Sequence, residues 1–243
     1  MQLDTLALRL RPRTPIEAAD IGQRLLLANG RAVYLSYAAV AVPVMTVAMA
    51  SFEYASWMPG LLIWWAKPWL DRTILFVLSR AAFGQAASPA DLWRHQRQFW
   101  WRRFFYSWTV RRLSPWRSLT EAVYTLEGLP LAQASRRARQ LRRRQIGGAL
   151  MLTHTFVAIE IALYVAVLSL AFWLAPPGTA PDATAFFEGL AAGTTLLMTV
   201  TYAAIVIVVE PFYVAAGFAM YLNRRAELEA WDIEQEFRRA FAA

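Results

Sequence analysis

The chain contains no cysteine, only two histidines (His95 and His154) and a single lysine, Lys67, among 243 residues. Without cysteine there is no disulfide framework, no thiolate nucleophile and no Cys-ligated zinc or iron–sulfur site. Two histidines argue against a multi-histidine metal centre. No nucleotide-binding loop, no Gly-x-Ser-x-Gly elbow and no metal-spaced carboxylates occur, so neither an enzyme nor a cofactor is expected. Strand-like alternation and internal repeats are also missing. Charge is scarce: 17% of residues are charged and 58% apolar, against about 25% and roughly 45–50% in an ordinary soluble domain. The chain is too apolar for that class and for a disordered one.

What is present is a set of long apolar runs. A bilayer core about 30 Å thick needs roughly 20 apolar residues in a helix. Residues 32–52 meet this with no charge, and 147–174 with one carboxylate, Glu160. Residues 187–209 meet it with Glu188 near the start, and apolar character continues to Tyr221. A fourth run, 61–83, carries Lys67, Asp71, Arg72 and Arg80; its flanks require it to be a return crossing. No secretory signal pattern precedes residue 32, because Arg9, Arg11, Arg13, Arg24 and Arg31 occupy that stretch.

The net charge of +8 is carried by arginines in three places: 1–31, 84–146 and 222–243. Connections 53–60 and 175–186 hold no Lys or Arg. By the positive-inside rule all three Arg-bearing parts are expected in the cytoplasm. The expected fold is therefore all-α, a polytopic transmembrane helical bundle of about four crossings in two hairpins. It divides into a cytoplasmic amphipathic N-terminal helix (1–31), a first transmembrane hairpin (32–83), a basic, aromatic-rich cytoplasmic helical region (84–146), a second hairpin (147–221) and a cytoplasmic amphipathic C-terminal helix (222–243).

Local signals refine this plan. Thr14-Pro15-Ile16-Glu17 reads as a capping box, followed by a helix with Ile16, Ala19, Leu26 and Leu27 on one face and a stop at Asn29-Gly30. Ser88 and Ser118 read as further helix starts, and Leu129-Pro130 as a break before an Arg-rich helix running into the third crossing. Residues 187–221 span about 52 Å at helical rise. The helix must protrude or break near Glu210-Pro211. Ile233, Phe237 and Phe241 form a C-terminal apolar stripe that the crossings cannot bury, a candidate partner surface. Gly189-x-x-x-Gly193 permits close helix approach in a homo-oligomer.

The intramembrane charges are the sharpest feature. Lys67 and Asp71 share a helix face at i,i+4, Arg72 lies beside them, Glu160 falls mid-crossing and Glu210 at the expected kink. Each costs at least about 2.5 kcal/mol in lipid, so they are expected to pair or to face water. They form either a functional polar path, proton relay or headgroup pocket, or a paired network that fixes helix register. The aromatic–basic run 99–108, with Arg102 and Arg103, suits the headgroup layer better than a single-strand stacking platform; nucleic acid is not an expected partner. Arg136, Arg137, Arg139, Arg142, Arg143 and Arg144 either attract anionic lipid, at about 1 kcal/mol each, or serve only as a topology signal.

Two stretches carry a resemblance. They are Arg11-Pro12-Arg13-Thr14-Pro15-Ile16-Glu17-Ala18-Ala19-Asp20 and Tyr221-Leu222-Asn223-Arg224-Arg225-Ala226-Glu227-Leu228-Glu229-Ala230-Trp231-Asp232-Ile233-Glu234. They resemble the entry and the ending of the membrane domain found in some glycerophosphodiester phosphodiesterases. In particular they resemble a set of proteobacterial inner-membrane proteins encoded beside MoxR-type AAA+ ATPases. The resemblance implies a helical inner-membrane bundle without activity of its own, placed near an AAA+ ATPase system; no Glu/His cluster is present to receive the phosphodiesterase chemistry. The leading expectation is a non-catalytic membrane subunit or scaffold for protein partners and anionic lipid. Its rival is a transporter or lipid-handling protein working through Lys67, Asp71, Glu160 and Glu210, which would require a water-accessible cavity lined by those side chains.

Overall fold

The computed structural model describes residues 13–101, 104–109, 112–176, 182–187 and 192–229, and all regular structure among them is helical. Helices α1 (Pro15–Ala28) and α2 (Gly30–Met49) are separated only by Asn29. Thr14 caps α1, its hydroxyl accepting from the Glu17 N–H at 3.3 Å. The expected stop is a one-residue interruption: the Asn29 amide donates to Leu25 O at 2.9 Å, and the helix restarts at once. A 3-10 turn (Ala50–Glu53) leads to α3 (Met58–Ala82).

Short elements follow: α4 (Pro89–Arg94), a π-helical turn (Arg97–Trp101), α5 (Phe104–Trp108), α6 (Arg117–Leu126) and α7 (Leu131–Arg142). Ser88 and Asp91 form a reciprocal capping box on α4. The Ser88 hydroxyl and backbone N–H hold the Asp91 carboxyl below the usual carboxylate range. The chain ends in α8 (Ile146–Trp173), α9 (Ala183–Phe187) and the 38-residue α10 (Ala192–Glu229), about 57 Å long. The helix continues unbroken through Pro211, so the expected break near Glu210-Pro211 does not occur.

Among the described residues three helices are long and apolar enough to cross a membrane: Gly30–Glu53 (with the 3-10 turn), Ile146–Trp173 and Gly193–Glu229. A membrane location follows as plausible. α3 is long enough but too charged to meet that criterion.

α10 and α3 form the centre. The α1–α2 rod lies antiparallel to α10, as three contacts in series show: Arg13 with Asn223, Gln23 with Phe212 O, and Tyr34 with Val208 O. α8 flanks the other side of α10 with only Ala149 and Leu168 buried. The α6 helix runs beside α10 from Ser118, which lies against Gly217, to Glu127, which accepts from the Tyr221 hydroxyl at 2.9 Å.

Several local expectations are corrected. The buried face of α1 is Ala18, Gly22, Leu25 and Leu26, while Ile16 and Leu27 are 70% and 68% exposed. Small residues face α10 because the two backbones touch: a Cβ on Gly22 would sit 2.7 Å from the Ala215 carbonyl carbon. α6 starts at Arg117, not at Ser118, because a turn joining the Arg117 N–H to Ser114 O begins it, leaving Ser118 buried against Gly217. The Arg-rich helix does not run on into α8; Arg144 at φ 68° turns the chain between them. Residues 84–146, expected as one cytoplasmic region, do not stay apart from the apolar helices: 112–117 insert between α3, α8 and α10.

Candidate functional site: a buried ion network beside an open cavity

Four of the five charges singled out from the sequence meet at one place. Lys67 Nζ lies 2.5 Å from Glu160 Oε1 and 2.6 Å from Glu210 Oε2, joining α3 to α8 and α10. Glu210 Oε1 accepts from Arg117 Nη2 at 2.7 Å, and Arg117 Nε lies 3.2 Å from Asp71 Oδ2. Arg117 was missed by the sequence reading, which placed it in the cytoplasm. It brings the N-terminus of α6 into the network and stacks over Tyr213 at 5.3 Å.

Arg72 is not a member. Adjacent helix residues point about 100° apart, so Asp71 and Arg72 cannot both face the network. Arg72 instead pairs with Glu121 at 3.2 Å and donates to Phe99 O and Trp100 O at 3.1 and 3.2 Å. This second pair anchors the aromatic run: Trp100 donates to Thr73 Oγ1, and Phe99 packs edge-on to Phe76 at 4.7 Å. Half of that run therefore faces α3, while Trp101, Phe105 and Trp108 remain exposed. Trp69, half-buried, likewise packs on Trp100.

The tally in the network is two cations, Lys67 and Arg117, against three carboxylates. Buried ions are tolerated only when paired. A further cation lies beside the network. Arg112 lays its guanidinium on the Trp64 ring, 3.5 Å from the centroid, and has no carboxylate at ion-pair distance among the described residues.

Between these groups opens a cavity of about 750 Å³. Its floor is Lys67, Arg117, Glu160 and Glu210; α8 contributes Phe156, Val157, Ile161 and Tyr164, α10 contributes Met198, Thr199 and Tyr202, and residues 112–115 close one side. Thr153 holds that loop by donating to Pro115 O at 2.8 Å. α8 and α3 both pack on α10 but make no comparable contact with each other, which leaves the cleft. Leu61, Trp64, Val157 and Ile161 stand exposed at its mouth.

The remaining expected site residues fall elsewhere. Arg137 is paired with Glu127 and Glu229, and Arg142 stacks on Trp116 at 4.2 Å. Arg136, Arg139, Arg143 and Arg144 are exposed. His154 donates to the Leu150 carbonyl of its own helix, not to a neighbouring one. Arg102, Arg103, Gly189 and the stripe Ile233, Phe237 and Phe241 lie outside the described residues. Among the described residues no cluster of His, Asp and Glu is spaced to hold a metal. No protein-family model, no curated protein and no solved structure matches the chain.

Proposed function

We propose that the chain is a four-crossing bacterial inner-membrane protein, with α2, α3, α8 and α10 as the crossings and both termini in the cytoplasm. It handles a lipid or similar amphiphile in the cavity between α3, α8 and α10 and catalyses no reaction of its own. The inward burial of Lys67, Asp71 and Arg72 supports α3 as a crossing, since its charges need not meet lipid. The absence of Lys and Arg from 53–60 and 175–186 supports the orientation. Reporter fusions at residues 56 and 180 are expected to report a non-cytoplasmic location; a cytoplasmic signal from residue 56 would remove α3 from the crossings.

One observation carries the functional reading: irregular backbone at 112–115 lines a cavity whose floor is Lys67, Arg117, Glu160 and Glu210 of the ion network. Glu210 lies 13 residues from Asn223, about 20 Å along α10. Non-helical backbone at membrane depth is tolerated only where it is buried in protein or lines a hydrated cavity. The exposed apolar residues at the mouth suit entry from the bilayer.

The test is a cavity-filling substitution. Gly60 lines the cavity, and a Cβ added there meets nothing within 4 Å. Native mass spectrometry of the detergent-purified protein is expected to show retained phospholipid on the wild type. Gly60→Trp is expected to lose it with an unchanged melting temperature. Equal lipid retention by both proteins contradicts the reading. A second reading, the subunit or scaffold beside an AAA+ ATPase system, is favoured by the bare apolar length of α8. It takes over if the wild type retains no lipid but a stoichiometric protein partner that is lost on deleting residues 226–243.

A further inference from the structure

The cavity wall holds a carboxylate and a guanidinium that each keep unused hydrogen-bonding capacity, and that pair names a ligand chemistry. On the floor, the network holds one carboxylate more than it holds cations. Of the two carboxylates that line the cavity, Glu160 is the more open, its side chain 17% exposed where that of Glu210 is 1%. Glu160 spends Oε1 on Lys67, and its Oε2 has no partner among the described residues. Arg112 lines the same cavity. Stacking on Trp64 occupies the face of its guanidinium and leaves the N–H edge for a planar or tetrahedral anion. The Tyr202 hydroxyl, buried in the same wall, has no hydrogen-bond partner among the described residues.

An anion alone would satisfy Arg112 and Tyr202 but leave Glu160 Oε2 open. A cation alone would do the reverse. We propose that the cavity selects a headgroup carrying both a phosphate and a primary ammonium, the phosphate on Arg112 and Tyr202 and the ammonium on Glu160. A primary ammonium is required because it donates hydrogen bonds to a carboxylate, which a quaternary one cannot. The apolar mouth formed by Leu61, Val157 and Ile161 accommodates acyl chains, so the source is an aminophospholipid and not the free phosphoamine. The proposal rests on the reading of the cavity as an amphiphile site and specifies its occupant.

The experiment is competition on the purified full chain, read by native mass spectrometry. Phosphatidylethanolamine, phosphatidylglycerol and phosphatidylcholine are offered in equal amounts, with free phosphoethanolamine and inorganic phosphate as separate arms. The ethanolamine lipid is expected to bind at least about tenfold more tightly than the other two, the worth of one charge-assisted contact. Arg112→Gln is expected to weaken all three lipids by about tenfold, and Glu160→Gln to erase the preference among them while lipid stays bound. Equal binding of the three lipids by the wild type overturns the headgroup assignment. If Gly60→Trp still expels lipid in that case, the amphiphile reading survives without it. Free phosphoethanolamine binding as tightly as the lipid overturns the lipid source and leaves the two-charge recognition in place. A wild type that binds none of the five overturns both.

Discussion

Replacing Lys67 by methionine is expected to destabilise the bundle by about 3–5 kcal/mol, the cost of stripping one partner from a buried ion network. The reason is geometric. Among the described residues Lys67 alone touches both Glu160 and Glu210, at 2.5 and 2.6 Å, so its loss leaves Arg117 alone against the buried Asp71 and Glu210 and the half-buried Glu160. Glu160→Gln is expected to cost less than about 1 kcal/mol: the amide oxygen still accepts from Lys67, and the surplus charge disappears. A triple variant, Lys67→Met with Glu160→Gln and Glu210→Gln, is expected to recover most of the loss, because uncharged groups of similar volume replace the ions together. Thermal unfolding in detergent reads all three. Equal destabilisation by Lys67→Met and Glu160→Gln would contradict the charge tally.

The network was partly legible in the sequence because ions in an apolar run must find one another. That argument gathers Lys67, Asp71, Glu160 and Glu210 without any contact being known. It fails for Arg72, since proximity in sequence is not proximity on a helix: one residue's step turns the side chain from Arg117, the partner of Asp71, toward Glu121. It also missed Arg117, which sits in a segment whose many arginines look like a uniform topology signal. The uneven tally of cations and carboxylates was the available clue, together with Ser114-Pro115-Trp116, a turn with little reason to be exposed. The helix boundaries of α2, α3 and α8 were readable to within a few residues because length and apolarity are what a bilayer demands. The inward face of α1 was not. In water, large apolar residues mark the buried side; beside lipid they are equally content outside, and the buried side is marked by small ones. On α1 both marks occur: Ala18 and Gly22 lie buried with Leu25 and Leu26, while Ile16 and Leu27 are exposed.

That inversion yields the second large effect. Gly22→Ala adds a single methyl group, yet it is expected to destabilise the protein by about 1–3 kcal/mol or more. The new Cβ would meet the Ala215 carbonyl carbon at 2.7 Å and the Ala216 Cα at 3.0 Å, backbone atoms in the middle of α10 that cannot rotate aside. α1 must then move off α10 and loosen the Gln23 bond to Phe212 O and the paired Arg13–Asn223 bonds on either side of it. Gly217→Ala is expected to behave alike, with the Ser118 carbonyl carbon 2.6 Å from its Cβ. Gly30→Ala is the control, at the first residue of α2 with nothing within 4 Å. It is expected to be neutral or to stabilise by up to about 1 kcal/mol, the ordinary gain from replacing a helical glycine. Melting temperatures of the three variants, measured in one detergent, separate contact from propensity. If Gly22→Ala and Gly30→Ala melt together, α1 does not pack backbone-to-backbone on α10, and the antiparallel rod beside the central helix loses its basis.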